Sequence, residues 1–317
     1  MRLSSREVFQ LADRCLASAG LSRGVSKTNA ESVWWTELYK ERGLTSLHKI
    51  INETAELDQG RISIERQSSN FAILNEGGQP CIVSSTPALD LSCSKAKESG
   101  LGITYIPFTE QDSSFATIGH TAYNAASRGL ISIVLTNSPD GSRSFLAVPG
   151  EEQPIVAETK LQGPSESYRK LRSIITNGIY DRRHSPLVQA FFDQSQHTDP
   201  TTTDADTLQR LLAGAIRPAS GNNDDSESGF VTICYSPTHP QNATGMQRVA
   251  HEFVRENTDQ LTTVYEPPTI NEKRRKLINE GVVIERDVWE DLFEWSNGIF
   301  SPDSVGSETG AGPGLER

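Results

Sequence analysis

The run LISIVLTNS, residues 130–138, narrows the choice of fold more than any other stretch. It is almost wholly apolar until it ends in Thr136-Asn137-Ser138. A strand with no polar side is buried on both faces, so helices must cover the sheet above and below. The segment before it, SFATIGHTAYNAASRG, reads as a helix. A helix feeding a buried strand is an α/β pattern.

The flanks repeat it. ITYIPF, FLAVP, QPIVAE and FVTICYSP read as strands, and FAILNEGGQPCIVSS as a hairpin turning around Asn75 to Gly78. Thr86 and Pro87 open a helix that runs through Glu98, with the proline at the first helical position, and Gly100 and Gly102 close it. The ends are helical. Ser4 and Glu7 form a capping box ahead of Val8, Leu11, Ala12, Cys15 and Leu16, and Gly20 stops that helix. A second helix from near Thr28 turns Val33, Trp34 and Leu38 inward and stops at Gly43. LTSLHKIINETAELDQGRIS is a short helix ending at Gly60. Leu208, Leu211, Leu212 and Ile216 mark an amphipathic helix, Asn242 to Glu256 another, and TINEKRRKLINEGVVIERDVWEDLFEWSNG two more.

The fold class these signals predict is α/β: a central mixed sheet with helices, the two terminal helical segments packing together. Residues 1–85 with 236–297 make a helical terminal domain. Residues 86–235 make a nucleotide-binding-like central domain that includes a flexible 218–229, and 298–317 are a disordered tail.

Composition excludes several functions. A formal net charge of −11 leaves no uniformly basic footprint for nucleic acid. No apolar run approaches the roughly 18 residues a bilayer demands, and the N-terminus has no signal-peptide core. Cys15, Cys81, Cys93 and Cys234 are far apart and form no CxxC pair, as expected of reduced thiols in a cytoplasmic protein rather than of a zinc site or disulfide scaffold. His184, His197, His239 and His251 show no metal spacing. KRRK, residues 273–276, reads as a solvated helical face. Neither GxxxxGK[ST], GxSxG nor HExxH occurs.

Five pieces in order resemble one family. They are VFQLADRCLASAG with AESVWWTELYKERG, LHKIINETAELDQGRIS, LDLSCSKAKESGLGITYI, AYNAASRGLISIVLTNSP and VYEPPTINEKRRKLINEGVVIERDVWEDL. Together, over roughly residues 3–160 and 206–295, they are similar to the malate/L-lactate dehydrogenase family of NAD(P)-dependent oxidoreductases, which is distinct from the Rossmann-type lactate dehydrogenases. The resemblance implies a nucleotide-binding sheet, a homodimer, an active site at a domain cleft, and hydride transfer to or from a small 2-hydroxy acid or its 2-oxo or imino partner. NAD or NADP would be the cofactor.

The family's chemical groups do not carry over intact. Its Asn-His-Phe-Gly falls on Ser113-Ser114-Phe115-Ala116, beside Asp112, so that Ser114 takes the histidine position. A serine hydroxyl does not titrate near neutrality and can only relay a proton. Its Ser-His-Gly falls on Ser46-Leu47-His48, and Lys49 takes the place of an arginine, losing the planar two-point grip on a carboxylate. The family's Gly-His-Lys-Gly stretch has no counterpart. The candidate catalytic residues are therefore Ser114, His48, Lys49 and His120, the last six residues beyond Ser114 and about 120° round the helix from it. Thr136, Asn137 and Ser138 are the candidate cofactor-binding residues; no metal is expected. Two readings stay open: a divergent oxidoreductase, and a dimer that kept the fold and lost the chemistry.

Overall fold

The computed structural model describes residues 1–54, 56–108, 116–138, 141–177, 204–220, 228–239 and 245–297. Its core is one eight-stranded mixed sheet. The strands are β2 (Ser63–Gln67), β3 (Phe71–Asn75), β4 (Leu101–Phe108), β5 (Ile131–Ser138), β6 (Gly141–Val148), β7 (Ile155–Leu161), β8 (Ser228–Tyr235) and β9 (Thr263–Tyr265). They lie in the order β2-β3-β4-β8-β5-β6-β7-β9, and only β3 and β4 run parallel. Strand β8 separates β4 from β5 and is antiparallel to both. Leu101 and Ile131 both face Tyr235, while Phe108 faces Ser228 and Asn137 faces Gly229. β4 and β5 therefore finish at the same end of the sheet, on either side of β8.

The apolar run of β5 is buried on both faces, as its sequence demands. Ile131, Ile133 and Leu135 pack under α6 (Glu166–Asn177), α7 (Asp204–Ala215) and α8 (Met246–Glu256). Val134 points the other way, toward Trp35 and Tyr39 of α2 (Arg23–Lys40) and Ala122 of α5 (Gly119–Ser127).

Three local expectations change. The helix assigned to Thr86 begins earlier: α4 spans Cys81–Ser99 with Pro80 at its N-cap and Pro87 inside it. Of the expected hairpin only Phe71–Asn75 is a strand, and its antiparallel partner is the exposed β2 upstream. An apolar Cys81-Ile82-Val83 satisfies a helix packed on a sheet as well as it satisfies a strand. Helix α2 starts at Arg23 rather than Thr28, and Trp35, not Trp34, is its fully buried tryptophan. This helix packs on two cores at once. Ala30 and Val33 enter the terminal core, and Trp35, Leu38 and Tyr39 the sheet core. Its buried arc is therefore too wide for a one-face pattern.

The terminal segments do pack together. α1 (Ser5–Ser18), α2, α3 (Gly43–Glu53) and α10 (Arg286–Ser296) share one apolar core. The capping box of α1 forms, with Ser4 N donating to Glu7 Oε2 at 2.7 Å and Glu7 N to Ser4 Oγ at 3.3 Å. β1 (Arg2–Leu3) pairs with β10 (Val282–Val283), the Met1 amino group donates to Ile284 O at 2.7 Å, and Cys15 Sγ donates to Leu292 O at 3.1 Å. α9 (Pro267–Glu280) runs between these ends. All four cysteines are buried, and none is in a disulfide. Among the described residues no helix is long and apolar enough to cross a membrane, and no group of side chains could hold a metal ion. The expected tail 298–317 lies outside the described residues.

Candidate functional site

Residues 109–115 connect Phe108, at the end of β4, to Ala116. They lie outside the described residues, so Ser114, Asp112 and Ser113 are not placed. The chain re-enters on a crowded floor. A Cβ on Gly119 would fall 2.4 Å from the Trp35 ring and 2.8 Å from that of Phe145, so only glycine lets α5 start there.

His120 follows on the buried side of α5. Its Nδ1 lies 2.7 Å from Ser32 Oγ of α2, and its ring stacks beside Tyr123 with centroids 6.4 Å apart. Burial, with a minor push from Arg128, lowers its pKa to about 4. The imidazole is neutral, and one of its two nitrogens is committed to Ser32.

Thr136, Asn137 and Ser138 are spent on the β5–β6 hairpin. Thr136 Oγ1 accepts from Arg143 N at 3.0 Å and donates to Arg143 O at 3.2 Å. Asn137 Oδ1 accepts from Ser142 Oγ at 2.8 Å, and Ser138 Oγ donates to Gly141 O at 2.8 Å.

The 46–49 segment does not join them. Leu47 is fully buried in the terminal core. His48 Nε2 turns to α10, 2.8 Å from Asp291 Oδ2, and also lies 3.1 Å from Asn52 Nδ2. Lys49 is exposed and makes an i,i+4 pair with Glu53 at 3.6 Å.

What the structure adds is a charged triad. Lys40 Nζ at the end of α2 lies 3.0 Å from Glu158 Oε1 on β7, and Arg143 Nη1 on β6 reaches the same oxygen at 2.5 Å. Lys40 and Glu158 are both buried, and Lys40 sits over the Phe145 ring at 4.6 Å. Burial pulls the lysine down to a pKa of about 8 against the opposing pull of Glu158. Tyr265, whose ring meets Tyr39 edge-on at 4.9 Å, is pushed up to about 12 by burial and then by the Glu158 charge. The triad therefore touches the hairpin of Thr136 through Arg143 and the start of α5 through Phe145. One sequence signal pointed to it: Glu158 is a carboxylate inside an apolar strand, which demands a buried cation.

A nicotinamide dinucleotide needs open donors and bare backbone at such a sheet edge. The described residues do not fit it. The three side-chain hydroxyl and amide groups above are bonded within the hairpin. The glycines of this edge are pressed on the protein's own backbone: a Cβ on Gly141 would lie 2.7 Å from Leu161 O, and one on Gly229 2.5 Å from Ile106 O.

No family model matches the chain, and no curated protein does. Solved structures do. Malate dehydrogenase from Pyrococcus horikoshii superposes with a TM-score of 0.57 at 14% identity, over 94% of this chain and 95% of that one. Sulfolactate dehydrogenase from Methanocaldococcus jannaschii gives 0.55 at 16% identity, over 94% and 97%. Delta1-piperideine-2-carboxylate reductase from Pseudomonas syringae gives 0.54 at 16%, over 93% and 99%. Whole-length superposition at such low identity shows the fold alone. The chain has the fold of the malate/L-lactate dehydrogenases, the fold its five motifs imply.

Proposed function

We propose that this chain is a malate/L-lactate dehydrogenase-like protein that lacks the family's two motif histidines and has turned its candidate cofactor-facing positions to internal bonding, and that it works as a binding or structural homodimer. The observation that carries the reading is His120. It is the first titratable group in sequence after the described chain resumes at Ala116, and it is buried, neutral and bonded to Ser32. A group with a pKa of about 4 and a protein partner is a poor proton donor at neutral pH. The test is titration of the purified chain with NADH and NADPH, followed by nicotinamide fluorescence and then by addition of 2-oxo and imino acids. The expected result is no saturable signal at millimolar cofactor and no oxidation. Saturable binding with turnover of any such acid overturns the reading.

One observation favours the alternative, an NAD(P)-dependent oxidoreductase acting on a small 2-hydroxy, 2-oxo or imino acid. A lysine that titrates near pH 8 holds and releases a proton in the working range, and Lys40 lies over the Phe145 ring that meets the start of α5. On that reading Lys40→Met abolishes turnover while the cofactor titration is unchanged.

A further inference from the structure

Away from the sheet edge, α1, α2 and α9 enclose a surface groove of about 620 Å³. Each helix turns one stripe into it. Arg6, Phe9 and Asp13 recur at intervals of three and four along α1. Arg23, Lys27 and Trp34 lie on one line of α2, since eleven residues return almost to the same bearing after about three turns. Arg274 and Ile278 are one turn apart on α9.

The charge of this groove runs against that of the protein. Four cations face a single carboxylate in a chain whose net charge is −11. Asp13 is itself engaged, accepting from Ser26 Oγ at 2.6 Å. Among the described residues, Arg6, Arg23, Lys27 and Arg274 make no ion pair, although Glu and Asp outnumber Lys and Arg over the chain by 41 to 30. Random placement would neutralise such a cluster. Ser5 Oγ, at the first turn of α1 and on the groove wall, is buried with no hydrogen-bond partner. Unpaired guanidinium and ammonium groups gathered in one groove point to an anionic ligand. Trp34 and Phe9 are half-buried, each offering part of an aromatic face to the same space.

We infer that this groove binds a nucleoside polyphosphate, with the phosphates among Arg6, Arg23 and Lys27 and the base against Trp34 and Phe9. Guanidinium groups grip phosphate oxygens in pairs, aromatic rings accept a flat base in stacking, and the volume suits a ligand of nucleotide size. The inference stands apart from the reading of the sheet edge. It gives a use to one residue of the basic run 273–276, Arg274, which the sequence suggested was merely solvated.

The test is isothermal titration of the full-length chain with ATP, tripolyphosphate and adenosine, in the native protein and in R23Q/K27Q. Both substituted residues are exposed, so the variant is expected to melt at the native temperature, which thermal unfolding checks. The expected outcome is micromolar ATP binding, weaker by about tenfold or more in the variant and at high salt. Tripolyphosphate should bind more weakly than ATP and adenosine more weakly still. Absence of heat with ATP, or ATP binding unchanged in R23Q/K27Q, overturns the site. Tripolyphosphate binding as tightly as ATP overturns the part given to the aromatic rings. An NADH signal that survives in R23Q/K27Q arises elsewhere, so the two proposals fail separately.

Discussion

Ser32 decides what His120 can do. A hydroxyl 2.7 Å from a buried imidazole fixes the ring and one nitrogen, and the surrounding Trp35 and Tyr123 rings leave the protonated form without water. The sign of the consequence follows from proton binding. In the unfolded chain a histidine takes up a proton near pH 6.5, whereas the folded one resists down to about 4. Between those values the unfolded state binds more protons, so stability rises with pH there and is lost as pH falls through the window. His120→Gln keeps a hydrogen-bonding group for Ser32 and cannot titrate. Urea unfolding at pH 6.5 and pH 4.5 is expected to show the native protein losing about 2 kcal/mol more than the variant on acidification. Equal losses in both proteins mean that His120 is protonated in the fold, and the argument for an inert imidazole fails with it.

Among elements, the triad fastens α2 to the β6–β7 pair. Glu158 is shared by two cations, one of them buried, so removing its charge leaves a buried ammonium uncompensated. Glu158→Gln is expected to cost roughly 3 kcal/mol at pH 6, measured by urea unfolding. The cost should shrink at pH 9, because Lys40, deprived of the carboxylate that raised its pKa, sheds its proton more readily. A cost independent of pH means that the lysine does not titrate near 8. Gly119→Ala tests the floor beside the triad, where the added methyl meets two aromatic rings; overpacking there should destabilise by about 1–3 kcal/mol in the same assay. The long signals of these elements were legible. The apolar β5, the capping box of α1 and the closing helices follow from periodicity and caps. What escaped was set by partners distant in sequence. Pro87 looked like a helix start because a proline inside a helix is costly, yet it lies half-buried within α4, six residues after Cys81. Nothing in the sequence marks Lys40, because its partner Glu158 comes to it from 118 residues away. For the candidate site the result is sharper still. Thr136, Asn137 and Ser138 were correctly placed at the end of a buried strand, but a hairpin return at Gly141 turned their polar atoms inward, and nothing in the tripeptide announces that.

At the scale of the whole molecule the two chain ends form one body, through the β1–β10 pair, the amino group on Ile284 and the Cys15 thiol on Leu292. This clasp holds α10 in place and leaves its outer side in solvent. There Trp289 stacks on Phe293 with centroids 5.0 Å apart and planes 21° from parallel, and Phe293 is 43% exposed. Trp295, also large and apolar, is 38% exposed two residues further on, about 160° round the helix from Phe293. Removing such rings from water is favourable, and covering them is what association supplies. The homodimer proposed above therefore has a physical candidate for its contact. Sedimentation equilibrium of the native protein is expected to give twice the chain mass of 34.8 kDa. Phe293→Asp places a charge in the stack without touching the buried Val288 and Leu292, so it should sediment as a single chain and retain the native helical content by circular dichroism. A native protein that sediments as one chain removes the dimer. A variant that remains dimeric moves the contact to another face and leaves the aromatic pair as cover for α10 alone.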